Sequence, residues 1–130
     1  MTDHVFDVRV HYEDTDMGGI VYHANYLKFI ERARSDWVAT LGIDQNALRA
    51  AGMAFAVARI EADFLRPARL DDRLTVLTRT VSGSGARMVL AQTVSLKGSV
   101  LFDAVVTLAA FDMASGRPRR LPPALRAPVG

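Results

Sequence analysis

The chain has 130 residues, half of them apolar, and no cysteine. That suffices for one domain with its own core but not for two. It excludes disulfides, thiolate nucleophiles and Cys-based zinc sites, and permits a reducing compartment. The pI of about 9.4 reflects four arginines after Asp112. Residues 1–112 hold 12 basic and 14 acidic side chains, a net charge of −2, without the interleaved aromatic and basic residues of a nucleic-acid surface. Met-Thr-Asp-His-Val-Phe-Asp at the start lacks a signal peptide's basic opening and apolar run, and no window approaches the ~18 to 20 apolar residues of a membrane span. A cytoplasmic protein with no membrane span and no nucleic-acid partner is expected.

Val5 to Tyr12 alternates, with Val8, Val10 and Tyr12 against Arg9 and His11, and reads as a first strand. A loop from Glu13 to Val21 follows. From Ala24, the residues Tyr26, Phe29, Ile30, Ala33, Trp37 and Leu41 recur at helical spacing, with Lys28, Glu31, Arg32, Ser35 and Asp36 on the other side, which predicts one long half-buried helix. Gly42 stops it, and Asp44 can cap a short helical turn through Arg49 and Ala51, broken by Gly52. Ala54 to Leu65 sets Ala56, Ala58, Ile60, Ala62 and Phe64 against Arg59, Glu61 and Asp63 until Pro67 interrupts. Strand-like runs Arg73–Val81, Arg87–Leu96 and Val100–Phe111 then suggest an antiparallel meander, joined at Ser82-Gly83-Ser84-Gly85 and Lys97-Gly98-Ser99. The last run is apolar on both sides, so it is expected to lie centrally or in an interface, with its sheet covered on both faces. The tail carries four of the five prolines and is expected to be irregular or partly disordered. The resulting division is a single domain over residues 1–112 and a basic, Pro-containing tail over 113–130.

The densest chemistry lies in Tyr12-Glu13-Asp14-Thr15-Asp16-Met17-Gly18-Gly19-Ile20-Val21-Tyr22-His23-Ala24-Asn25-Tyr26. Three carboxylates precede two glycines, which let backbone turn closely around a ligand, and a helix start then offers unpaired N–H donors. Carboxylate plus oxyanion donors points to acyl-group hydrolysis. Simpler roles exist for the same residues. Asp14 or Asp16 can close an Asx turn, Glu13 can face solvent, and His23 can serve as a cap. Gly18 and Gly19 shape backbone under any function, and the Tyr26, Phe29 and Trp37 stripe reads first as core. His4, His11 and His23 with Asp14 or Asp16 lack HExxH-type spacing, so no metal is expected. Neither a phosphate-cradling GxxxxGK[ST] loop nor a GxGxxG is present, and no cofactor is called for.

This stretch, continued by Leu27-Lys28-Phe29 and Glu31-Arg32-Ala33-Arg34 and resumed at Arg66-Pro67-Ala68-Arg69-Leu70-Asp71-Asp72, resembles the hotdog-fold acyl-CoA thioesterases. These belong to the 4-hydroxybenzoyl-CoA thioesterase-like superfamily, and the likeness is to the YbgC branch associated with the Tol-Pal system. The resemblance covers about residues 5–112. It implies an α+β hotdog fold, a five-stranded antiparallel sheet wrapped around one long helix in the order β-α-β-β-β-β. It also implies a homodimer or homotetramer with sites at the subunit interface, and an acyl-CoA or acyl-carrier-protein substrate.

By motif position it places the catalytic carboxylate on Asp16, as nucleophile or general base, and the oxyanion donor on the His23 backbone N–H. The Tyr12 hydroxyl and the His23 side chain become supporting groups, and Gly18, Gly19 and Tyr22 shape the loop backbone. Coenzyme A phosphates need cations, for which Arg59, Arg66, Arg69 and Arg87 are candidates. A noncatalytic acyl-CoA or acyl-carrier-protein binding module and a hotdog hydratase are the alternatives. One departure from the branch is His11, where an aromatic is common.

Overall fold

The structure is a computed structural model that describes residues 3–126. Its elements run β1 (His4–Arg9), α1 (Asn25–Thr40), α2 (Gln45–Ala50), β2 (Met53–Phe64), β3 (Arg73–Ser84), β4 (Arg87–Leu96) and β5 (Ser99–Asp112). All five strands form one antiparallel sheet in the order β1-β3-β4-β5-β2. The meander holds for β3 to β5, while β2 joins beyond β5 and β1 beyond β3. β5 is therefore an inner strand, as its apolar sequence predicts.

The helix is half-buried because its apolar stripe has one sheet to lie against. Tyr26, Phe29, Ile30, Ala33, Trp37 and Val38 enter a single core with Leu74, Val76, Leu90, Val94, Phe102 and Val106. Gly42, at φ 77°, ends the turn after α1, and Asp44 caps α2 by accepting the Asn46 and Ala47 N–H groups at 2.9 and 3.3 Å. Lys97 and Gly98, both with positive φ, make the two-residue β4–β5 turn, a geometry whose twist suits antiparallel strands.

Four expectations need correction. The first strand stops at Arg9 instead of Tyr12. Val10 pairs instead with the 71–72 turn, and the Asp14 carboxylate accepts the His11 N–H at 2.8 Å, closing Tyr12–Asp14 into a 3₁₀ turn. The single alternation along β2 breaks at Ala58, where the register shifts between Val57 and Arg59; Phe55, Val57, Ile60, Ala62 and Phe64 share the inner face, and Ala56 faces out. The sheet is not covered on both faces in this chain, since α1 and the tail both lie on the inner side and leave Val105 41% exposed. Finally, the described part of the tail, residues 113–126, is irregular but packed. Arg119 and Leu121 donate backbone N–H groups to Ala110 and Gly85, and Leu121 and Leu125 are 1% and 2% exposed within the core. Donors from Ser115, chiefly, and the Arg119 guanidinium hold the Asp112 carboxyl below the usual range at the turn into this tail.

Leu121→Ala should lower the unfolding free energy by about 2–5 kcal/mol in urea titration. A change under about 0.5 kcal/mol, typical of a surface position, would show that the tail does not contribute to the core.

Candidate active site

Between β1 and α1 the chain has few repeating backbone bonds, so its polar groups are satisfied locally. Asp14 carries most of this. It is buried, its carboxylate takes the His11 N–H, and its carbonyl takes the Tyr22 N–H at 2.9 Å and the Asn25 side-chain amide at 2.8 Å. Asp14 thus ties the loop to the first residue of α1, whereas the Asx turn that the sequence allows for Asp14 or Asp16 is formed by Asp16. Glu13 is exposed.

Asp16 differs in its exposure. It is exposed, and one carboxylate oxygen accepts the Gly18 N–H at 2.8 Å. Around it the Asp16 N–H donates to Ile20 O at 2.9 Å and the Gly19 N–H to Asp16 O at 3.0 Å. Gly19 sits at φ 76°, where a side chain would strain the backbone. Gly18 is constrained differently, because a Cβ there would stand 3.1 Å from Asp16 Oδ1. Both glycines therefore set the Asp16 carboxylate in place.

At the helix start, Asn25 and Tyr26 donate back to Tyr22 O and His23 O. Among the described residues, no acceptor faces the His23 N–H or the Ala24 N–H, and no side chain caps α1. Of the four backbone positions named from sequence, the N–H groups of Gly18, Gly19 and Tyr22 are already bonded within the loop, and that of His23 is available to a ligand. The positive end of the helix dipole reinforces it.

The same helix end borders a groove of about 310 Å³ lined by residues including Ile20, His23, Tyr26, Phe64 and Arg66. The His23 ring meets the Phe64 ring edge-on at 6.1 Å, and Tyr26 stacks on Phe102 at 5.1 Å and 10°. The Tyr26 hydroxyl accepts the Ala68 N–H at 3.1 Å; burial pushes this phenol above its ordinary pKa while the Ala68 contact pulls the other way. It is a neutral anchor. Tyr12, 81% exposed, lines a separate shallow hollow with Glu13, Asp16 and Met17. A single chain thus groups Asp16 with Tyr12, and His23 with the groove.

The four arginines also divide. Arg66 lines the groove and donates to Ser99 Oγ at 2.7 Å and Val100 O at 3.3 Å. Arg69 is exposed just beyond it and pairs by backbone bridge with Ile20. Arg59 is ion-paired to Glu61 at 2.8 Å, and Arg87 stands opposite Ala109; both lie on the outer sheet face, away from the groove. Phe64 was not singled out as a site residue by sequence. Its signal was an aromatic at the last position of a strand, directly before the Leu65-Arg66-Pro67 corner. No group of three or more metal-ligating side chains assembles among the described residues, and no helix among them is long and apolar enough to cross a membrane.

A five-stranded antiparallel sheet carrying one long helix, with an acidic loop at that helix's start, defines a class. The chain matches the family model of the thioesterase-like superfamily over residues 10–129 and belongs to that family. It is 41% identical over 116 residues to the acyl-CoA thioester hydrolase YbgC of Escherichia coli O6:H1, covering 88% of this chain and 87% of that protein. It is 39% identical over 123 residues to the acyl-CoA thioesterase YbgC of Haemophilus influenzae, covering 94% and 90%. Among solved structures, a probable thioesterase from Bartonella henselae superposes with a TM-score of 0.87 at 40% identity, covering 93% of this chain and all of that one.

Gly18→Ala should fold, since Gly18 does not occupy the left-handed region, yet displace the Asp16 carboxylate. Thiol release from an acyl-CoA should fall about 10-fold or more. Unchanged turnover would mean that the position of this carboxylate does not matter.

Proposed function

We propose that this chain hydrolyses acyl-CoA thioesters of small or medium acyl groups, aromatic ones included, with Asp16 as nucleophile or general base. The observation that carries the reading is the His23 N–H, left without an acceptor at the start of α1 and bordering an aromatic-walled groove. A donor fixed in that way is suited to the oxygen of a thioester carbonyl. Charge develops on that oxygen as the carbonyl carbon becomes tetrahedral, and one such donor is worth about 3 kcal/mol.

Asp16 supplies the second requirement. As nucleophile, its carboxylate adds to the carbonyl carbon, the C–S bond breaks with the electron pair leaving on the coenzyme A sulfur, and water cleaves the resulting mixed anhydride. As general base, it takes a proton from the water that attacks the same carbon, and the thiolate leaves. Tyr12 shares its hollow and can orient carboxylate or water, as can the His23 side chain. Arg66 and Arg69 are suited to a coenzyme A phosphate, or to the phosphopantetheine of an acyl carrier protein.

A second copy of the chain completes this picture. β2 is a 12-residue edge strand with Val57 46% and Phe64 53% exposed, whereas the opposite edge, β1, is six residues long and carries Asp7 and Arg9. Unpaired edges of the first kind pair readily. A homodimer, or a homotetramer built from it, can bring the Asp16 hollow of one copy beside the groove of another and give Arg59 and Arg87 a substrate to face.

Asp16→Asn should lower kcat by about 10²-fold or more in a thiol-release assay over an acyl-CoA panel, with an unchanged melting temperature, because Asn keeps an acceptor for the Gly18 N–H. Wild-type turnover in the folded variant would remove Asp16 from the reaction. Oxygen from labelled water found in Asp16 after one turnover marks the nucleophilic route.

A further inference from the structure

One buried polar cluster, remote from the acidic loop, interrupts the apolar seam between α1 and the sheet. Gln92 of β4 is completely buried, and its side chain makes three hydrogen bonds. The amide nitrogen donates to Ile30 O of α1 and to Thr78 Oγ1 of β3, each at 2.9 Å, and Oε1 accepts from Arg34 Nη1 at 3.0 Å. A guanidinium only donates, so the amide oxygen must face it, and the orientation of Gln92 is fixed by its partners. Thr78 stands opposite Gln92 in the β3–β4 register and is buried with it. Arg34 is buried too, with the Glu31 carboxylate on the turn before it favouring its charge.

These bonds differ in kind from the rest of the seam. Phe29, Ile30, Ala33 and Val38 share one apolar core with Val76, Leu90, Val94 and Val106, and hydrophobic contact has no direction. Such a surface lets a helix settle at more than one position along its axis. A hydrogen bond has a length and an angle. Ile30 and Arg34 are one helical turn apart on the same face of α1, and a single side chain of the sheet's central strand holds both. Among the described residues, Gln92 is the one side chain of an inner strand that bonds to α1; the other polar tie to the sheet, His4 to Asp36 at 2.8 Å, comes from the edge strand β1.

We infer that Gln92 is a positioning residue for thioester hydrolysis: its grip on Ile30 O and Arg34 sets α1 along its axis, and the helix carries that setting to the His23 N–H. His23 precedes Ile30 by seven residues, about 10 Å along the axis, so a slide of the helix moves the N–H by the same amount. A displacement of about 1 Å can cost about 10²-fold in rate. Asn25 and Tyr26 hold the helix start to the loop and to Ala68, and Gln92 fixes the helix against the sheet itself. This role rests on the proposed use of the His23 N–H as oxyanion donor.

Two variants of the full chain separate positioning from folding. Gln92→Leu combined with Arg34→Met replaces the cluster with apolar groups of similar volume, a change that keeps or raises stability. Gln92→Glu keeps an acceptor for Arg34 but, ionised, has no proton for Ile30 O. In a thiol-release assay both should lose about 10-fold or more in kcat with KM within about 2-fold, the split expected when an interaction made only in the transition state is lost. In the amide NMR spectrum the His23 N–H should shift while that of Gly18, bonded within the loop, stays in place. Wild-type kcat in either folded variant, a rise in KM with kcat kept, or an unmoved His23 amide overturns the role. Failure of both variants to fold would make the cluster a requirement of the fold alone and overturns it as well. The His23 amide is read without substrate, so a wild-type chain that releases no thiol counts against hydrolysis, and the amide shift still decides what Gln92 positions.

Discussion

A chain with one long amphipathic helix and one sheet has a single place to bury the helix's apolar side, against the inner face of that sheet. Tyr26 shows how that constraint reaches the site. Its ring stacks on Phe102 of β5 and its hydroxyl accepts the Ala68 N–H, so the start of α1 is pinned both to the sheet and to the segment between β2 and β3. His23, three residues earlier, is held at the mouth of the groove as a result. The availability of its N–H thus depends on core packing as well as on the loop.

The acidic loop illustrates how similar side chains acquire different work. The Asp14 carboxylate is buried on the His11 N–H, and its backbone carbonyl joins the loop to α1 through the Asn25 amide. Asp16, two residues on, keeps an exposed carboxylate with one N–H partner. Burial separates them, since a carboxylate enclosed by protein must have its lone pairs satisfied, while one at the surface is accessible to substrate and water. Arg34 and Arg59 divide in the same way, one desolvated and held by a neutral amide, the other solvated and paired with Glu61.

Much of the fold was legible from sequence because it follows from periodicity and punctuation. The helix, the Asp44 cap and the Arg87–Leu96 strand depend on residues within a turn or two of each other, and the element order follows from them. The misread features depend on distant partners. The bulge at Ala58 flips the inner face of β2 without any glycine or proline to mark it, and the end of β1 is decided by Val10 pairing with the 71–72 turn. The tail's prolines suggested disorder, yet Leu121 and Leu125 complete the core because the strand before them delivers them over an open part of it.

The sequence by itself determined the element order, the acidic loop before the helix and the family to which that loop belongs, since hydrophobic period and local motif are properties of neighbouring residues. Only the tertiary structure decided which groups are left free: that the N–H groups of Gly18, Gly19 and Tyr22 are used and that of His23 is not, that Phe64 reaches the His23 ring, and that Arg34 is buried against the Gln92 amide. The physical reason is that a donor, an acceptor or a charge is free or satisfied according to what folding brings against it, and those partners can stand far away in the chain, 62 residues in the case of Ile30 and Gln92.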